Sequence, residues 1–395
     1  MIPPMKRSPA KPRPMKQGMA RALDLTRAGK LQEATAMILS LLRRPVGAAD
    51  PTGAPALADG DVIDGVFTAT PPPHAKPAAT GTRGPRAPLA ETLRKIAAGG
   101  MPARAPLTGV QVPVAAEAQF LSLSHSGPQG SRRYRLYLPA NRPALPMPLI
   151  VMLHGCTQTP EDFALGTGMN ALAEEFGCII AYPEQASGAN AQKCWNWFRP
   201  EDQGRDRGEP ALIAGMTRDI QAAYPADPTR TYIAGLSAGG AAALIVAAAY
   251  PEVFAAAGTH SGLPAGGARD VTSAFAAMRS GTEAAPHKTA LPVIAFHGLA
   301  DATVHPSNGT ASVAQAVAAM PGLRRSTRQE TSAGGRSASV TAHARADGRT
   351  MAEHWQIDGA GHAWAGGQAG GSYTDPSGPD ASRQMLRFFL QHRAG

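Results

Sequence analysis

Thr231-Tyr232-Ile233-Ala234-Gly235-Leu236-Ser237-Ala238-Gly239-Gly240 decides how this chain folds. The apolar run 231–234 reads as a strand, and the small-residue run from Gly240 to Ala249 reads as a helix. Between them, Gly235 to Gly239 has the G-x-S-x-G spacing of a sharp strand-to-helix turn. A serine hydroxyl is a poor nucleophile unless a base can reach it and N–H groups face the developing oxyanion, and a strained corner exposes it to both. Ser237 is therefore the expected nucleophile. In a chain with 43 glycines the bare pattern is weak, and the flanking strand and helix give it weight.

A serine on such a corner predicts an α/β-hydrolase fold, a mostly parallel, doubly wound sheet in which an acid and then a histidine follow in chain order. Leu291 to Phe296 reads as a buried parallel strand, and His297-Gly298-Leu299-Ala300-Asp301 puts a carboxylate just past its C-terminal end, where open α/β sheets build their sites. Asp301 is the expected acid. Farther on, Glu353-His354-Trp355-Gln356-Ile357 alternates like a strand, and the loop Asp358-Gly359-Ala360-Gly361-His362-Ala363-Trp364 follows it. His362 is the expected base, taking the serine proton and returning it to the leaving alcohol, with Asp301 fixing its tautomer. His354 and His305 are rivals to His362. Asp358 is a rival to Asp301 but lies close to His362 in sequence. Upstream, Pro148 to Leu153 reads as another strand, and His154-Gly155-Cys156 opens its loop. The backbone N–H groups of Cys156 and Ala238 are the expected oxyanion hole, and His154 is expected to brace the loop.

Composition agrees with a catalytic domain. With 395 residues, 43% of them apolar, the chain can build one α/β domain of about 250 residues plus an appendage. No apolar run approaches membrane-spanning length. The net charge of +9 would suggest nucleic acid if it were spread over the fold. However, residues 1–110 hold 16 Lys/Arg against 7 Asp/Glu, leaving 22 against 22 in the rest. A basic front on a neutral domain, without interleaved aromatics, predicts no nucleic-acid partner. Met19 to Ala28 and Leu31 to Arg44 read as a short helix pair, with Leu31, Ala34, Ile38, Leu41 and Leu42 at helical spacing. The pair is expected to dock, to self-associate or to meet a polymer surface. From Val46 the chain is rich in Pro, Ala, Gly and Thr and reads as disordered linker. The expected division is 1–45, a basic segment with the helix pair; 46–115, linker; and 116–395, the hydrolase domain. Met1 to Lys16 show no secretion signal. No Cys/His spacing suits a metal, and no cofactor is expected.

His154-Gly155-Cys156, Cys194-Trp195-Asn196-Trp197-Phe198, Gly235 to Gly240, His260-Ser261-Gly262-Leu263-Pro264, Gly361-His362-Ala363-Trp364, Ser372-Tyr373-Thr374-Asp375-Pro376 and Gly378-Pro379-Asp380-Ala381 together resemble the poly(3-hydroxybutyrate) depolymerase family of esterases, over roughly residues 130–392. The resemblance implies cleavage of short-chain polyhydroxyalkanoate esters, with relatives that act on feruloyl or acetyl groups of polysaccharides. It implies Ser237, Asp301 and His362 as the catalytic residues and the Cys156 amide as an oxyanion donor. It also implies an extracellular setting, against the cytoplasmic alternative that the unreadable signal suggests. Trp195 and Trp364 belong to runs expected near the site and are the expected substrate contacts, with 192–205 as rim and both 265–288 and the linker as candidates for a lid. Cys156 and Cys194, in loops that both approach the site, are expected to form a disulfide, with Cys178 a buried strand thiol. No added polymer-binding module is read after the amphipathic helix at 381–393, so crystalline granules are not the expected substrate. The alternatives are a feruloyl- or acetylxylan-type carbohydrate esterase, or N-terminal helices that form a granule-binding module with the hydrolase activity secondary.

Overall fold

The structure, a computed structural model, describes residues 110–143, 146–283, 285–287 and 290–395. The expected helix pair and all but the end of the expected linker lie outside the described residues.

The described chain runs β1 (Gln119–Gly127), β2 (Gly130–Leu138), β3 (Met147–Leu153), α1 (Pro160–Thr167), α2 (Met169–Phe176), β4 (Ile179–Pro183), α3 (Gly208–Ala223), β5 (Ala226–Leu236) and α4 (Ala238–Ala249). It continues through β6 (Ala256–His260), α5 (Val271–Ser280), β7 (Val293–Gly298), α6 (Ser307–Ala318), β8 (Arg324–Thr331), β9 (Ser337–Ala344), β10 (Thr350–Ile357), β11 (Trp364–Ala365), β12 (Thr374–Asp375) and α7 (Ala381–Phe389). Ten strands form one sheet in the order β1-β2-β4-β3-β5-β6-β7-β10-β9-β8. The six from β4 to β10 run parallel, and antiparallel strands extend both edges.

The sequence dictates this layering. Every residue of β3 is buried, as befits a central parallel strand covered on both faces. Because side chains alternate, Leu149, Val151 and Leu153 enter one core while Ile150 and Met152 enter the other. The first core holds α4, whose alanines let the helix lie close to the sheet, and the second holds α7 through Met385, Leu386, Phe388 and Phe389. The Asp380 carboxylate accepts the Arg383 N–H at 2.9 Å and caps α7, and Phe389 stacks on Tyr232 of β5 at 5.1 Å. The parallel strands all end at the same edge, so the loops after β3, β5, β6, β7 and β10 converge there.

Candidate active site

Ser237 ends β5 and opens α4 with φ 57° and ψ −119°, outside the ordinary allowed regions for a residue with a side chain. Such a conformation costs about 1–3 kcal/mol and persists only where its surroundings enforce it. Two glycines do so. A Cβ on Gly235 would strike Gly239 and the Leu153 carbonyl, and one on Gly239 would strike the Leu153 and His154 carbonyls, so the corner closes only without them. The Ser237 N–H donates to the His260 carbonyl at 2.8 Å, tying the corner to β6.

Asp301 lies three residues past β7. Its Oδ1 accepts the Thr303 and Val304 amides, each at 2.9 Å, and its Oδ2 lies 2.8 Å from His362 Nδ1. Burial by itself would raise this carboxyl's pKa. The imidazoles of His297 and His362 and the Val304 amide more than offset that and hold it well below the usual carboxylate range. An ionised Asp301 makes His362 Nδ1 the donor and leaves Nε2 as the basic nitrogen. His362, on the loop after β10, keeps a little solvent exposure. The structure thus brings Asp301, not Asp358, to His362. His354 is buried inside β10, and His305 sits exposed against Ser307 at the start of α6.

Two further histidines hold the loops. His154, after β3, contacts the Gly155 carbonyl through Nδ1 at 2.8 Å and receives the Gln185 amide at Nε2 at 3.1 Å. Burial lowers its pKa to about 4, so it stays neutral and braces the Cys156 loop as expected. In the sequence, His260 stands only within a run that carries the family resemblance, with no task of its own. Its Nε2 accepts the Ala365 amide at 3.0 Å, which requires a proton on Nδ1, and Nδ1 lies 3.2 Å from Ser261 Oγ. Its ring stacks between Phe296 and Trp364. Burial, with the fields of His297 and His362, lowers its pKa to about 3. The advance signal is its place in the run His260 to Pro264 that carries the family resemblance.

A cavity of about 210 Å³ opens over Ser237. Ala238 and Cys156 line it beside the hydroxyl, and the first N–H groups of a helix such as α4 have no intrahelical partner. A disulfide between Cys156 and Cys194 ties the β3 loop to the segment that forms the wall, and Cys178 is buried and unpaired. Trp197, Phe198, Leu263, Phe275 and Met278 are among its apolar lining side chains. Val271 and Phe275 of α5, within the stretch read as a lid, are exposed at the mouth.

The two tryptophans expected to touch substrate do not line this cavity. Trp195 is fully buried, with its indole N–H donated to the His154 carbonyl at 3.1 Å. Trp364 is buried against His260 and Phe163, and donates to Ser382 Oγ at 3.0 Å. Each indole N–H finds its partner inside the fold, which turns the ring away from the wall, and Trp197 occupies that wall. Among the described residues no cluster of three or more His, Cys, Asp or Glu could hold a metal, and no helix is long and apolar enough to cross a membrane.

Comparison with known proteins agrees with this architecture. Residues 132–321 match the family model described as esterase PHB depolymerase. Poly(3-hydroxyalkanoate) depolymerase C of Paucimonas lemoignei is 35% identical over 240 residues, 57% of each chain. Feruloyl esterase B of Neurospora crassa is 34% identical over 168 residues, 42% of this chain and 52% of that protein. Poly(3-hydroxybutyrate) depolymerase of Ralstonia pickettii is 26% identical over 257 residues, 59% of this chain and 52% of that protein. The chain spans little more than half the length of these relatives. Among solved structures, an acetyl xylan esterase from Aspergillus awamori superposes with a TM-score of 0.52 at 20% identity, over 69% of this chain and 99% of that one. The fold is that of an α/β-hydrolase.

Proposed function

We propose, on the premise that residues 132–321 form an esterase domain of the PHB depolymerase family, that this chain is a serine hydrolase cleaving the ester bonds of short-chain polyhydroxyalkanoate polymer or oligomers. Ser237 attacks the ester carbonyl while His362 Nε2 takes its proton, and Asp301 stabilises the imidazolium. The oxyanion is received by the amides of Cys156 and Ala238. The imidazolium protonates the leaving alcohol and frees the acyl-enzyme. Water, deprotonated by His362, attacks it in turn, and collapse returns the proton to Ser237 and releases the acid.

The observation that carries this reading is the 2.8 Å contact between His362 and an ionised Asp301, together with a serine held at a positive-φ corner that lines an apolar cavity. The disulfide supports an oxidising, extracellular compartment. Residues 1–45 and 46–115 are taken as a targeting segment and its linker, with the helix pair meeting the polymer. Removing residues 1–110 should then weaken adsorption to polymer and spare turnover of soluble ester.

The deciding experiment is hydrolysis of trimeric 3-hydroxybutyrate beside feruloyl and acetyl sugar esters, by the chain and by Ser237→Ala. Serine-dependent release of 3-hydroxybutyrate with little sugar-ester activity supports the polyester reading. Preference for the sugar esters moves the same machinery to carbohydrate substrates. Activity indifferent to Ser237→Ala overturns the mechanism.

A further inference from the structure

The cavity above Ser237 is unusual in what its walls do not offer. Among the described residues, no side chain lining it carries a charge. Its polar lining comes from Asn190, Gln192 and Ser237. Asn190 is already committed, its Oδ1 accepting the Gln192 amide at 3.0 Å and its Nδ2 donating to Asn196 Oδ1 at 3.1 Å. The Gln192 backbone is committed as well, since its carbonyl accepts the Thr157 N–H at 2.7 Å. That bond joins it to the residue following Cys156, next to the expected oxyanion donor. No hydrogen bond engages the Gln192 side-chain amide among the described residues, although the residue is half-buried at the wall. A primary amide in an otherwise apolar wall gains most from a neutral carbonyl or hydroxyl on the ligand.

A polyester of hydroxy acids presents two kinds of unit. An internal unit is flanked by esters and is neutral, whereas the unit at one chain end carries a free carboxylate. Moving that carboxylate into an uncharged cavity costs several kcal/mol unless a cation meets it, and none lines this wall. The volume of about 210 Å³ lies below the range that holds drug-sized ligands, about 300–1,000 Å³, and suits one short unit.

We propose that this cavity is a subsite for an uncharged internal unit of an oligoester, and that Gln192 is the specificity-determining residue that donates to the ester carbonyl next to the scissile bond. The chain then cuts within polymer chains rather than by reading a carboxylate end. This inference rests on the polyester reading of the site.

The test compares kcat/KM for three esters: a 3-hydroxybutyrate trimer as the free acid, the same trimer capped as its methyl ester, and p-nitrophenyl butyrate, which has no second ester carbonyl. The wild-type chain is expected to prefer the capped trimer over the free acid by about tenfold. In Gln192→Leu the ratio of kcat/KM for the capped trimer to that for p-nitrophenyl butyrate is expected to fall about tenfold, mainly through KM. Circular dichroism confirms that the variant is folded, and Gln192→Glu, which keeps the length but loses the donor, should show the same fall. Equal or faster hydrolysis of the free acid, or an unchanged ratio in Gln192→Leu, overturns the inference and leaves the polyester reading standing. Hydrolysis of p-nitrophenyl butyrate with neither trimer cut overturns both.

Discussion

The Ser237 amide donates to the carbonyl of His260 at 2.8 Å, so the corner carrying the hydroxyl is bonded to the residue whose imidazole holds the far side of the site. Through Nε2, His260 accepts the Ala365 amide three residues past His362. One residue therefore holds both the Ser237 corner and the loop that carries His362, the proposed nucleophile and base. His260→Leu removes the second link and should lower kcat about a hundredfold, the scale of a misplacement near 1 Å, with a smaller change in KM. His260→Gln retains an acceptor and should recover part of the loss. A kcat for His260→Leu within twofold of wild type would show that the loop holds itself.

Asp301 holds His362, the proposed base, by charge as well as by geometry. Asp301→Asn keeps the shape but allows the wrong tautomer of His362, and kcat should fall about 10⁴-fold at neutral pH. Steady-state kinetics on a soluble ester decides the matter, and a loss below tenfold would remove Asp301 from the mechanism.

The positive-φ corner makes a prediction of opposite sign for stability and activity. Ser237→Gly relieves the strained backbone and should stabilise the fold by about 1 kcal/mol while abolishing turnover. Gly239→Ala puts a methyl group into the Leu153 and His154 carbonyls and should cost about 3 kcal/mol or more. Urea unfolding measures both, and a destabilised Ser237→Gly would contradict the strain.

Cys156 and Cys194 are 38 residues apart, and closing that loop should contribute about 3–4 kcal/mol. Reduction, or the double change Cys156→Ser and Cys194→Ser, should lower the unfolding midpoint and also kcat, since the Cys156 amide rides on the tethered loop. Full activity after complete reduction would separate the bridge from the oxyanion donor.

Burial depresses the pKa of six histidines: His154, His287, His354 and His392 to about 4, His260 to about 3, and His343 in the same direction. From pH 6.5 down to those values the unfolded chain binds protons that the folded chain refuses, so stability falls as the pH falls. Asp301, with its depressed pKa, acts lower: its contribution is intact above the ordinary carboxylate value of 3.8 and is lost only below it. A drop in Tm of about 5 °C or more is expected between pH 7 and pH 5 by calorimetry, and a flat Tm over that range would count against the neutral histidines.

What could be read in the sequence follows from how far each signal depends on partners. The strand, corner and helix around Ser237 are local, because Gly235 and Gly239 announce a backbone that no other residue permits. The strand ahead of Asp301 is a continuous apolar run, and it emerged as β7 with its C-terminal end where the carboxylate is needed. Trp195 and Trp364 were misjudged because an aromatic in a loop fits a wall or a core equally well. The choice fell to acceptors supplied by His154 and Ser382, 41 and 18 residues away. Trp197, two positions on from Trp195, took the wall instead. The bracing role of His260 was not legible for the same reason, since its partner Ala365 lies 105 residues downstream.

The absence of charge along the cavity has a further effect once a bond is cut. Hydrolysis turns a neutral ester into an acid that ionises at neutral pH, and the newborn anion finds itself among apolar walls with no counterion. On the polyester reading, the same uncharged wall that admits a neutral ester disfavours the acid made from it, which would leave Ser237 clear for the next unit of the proposed substrate.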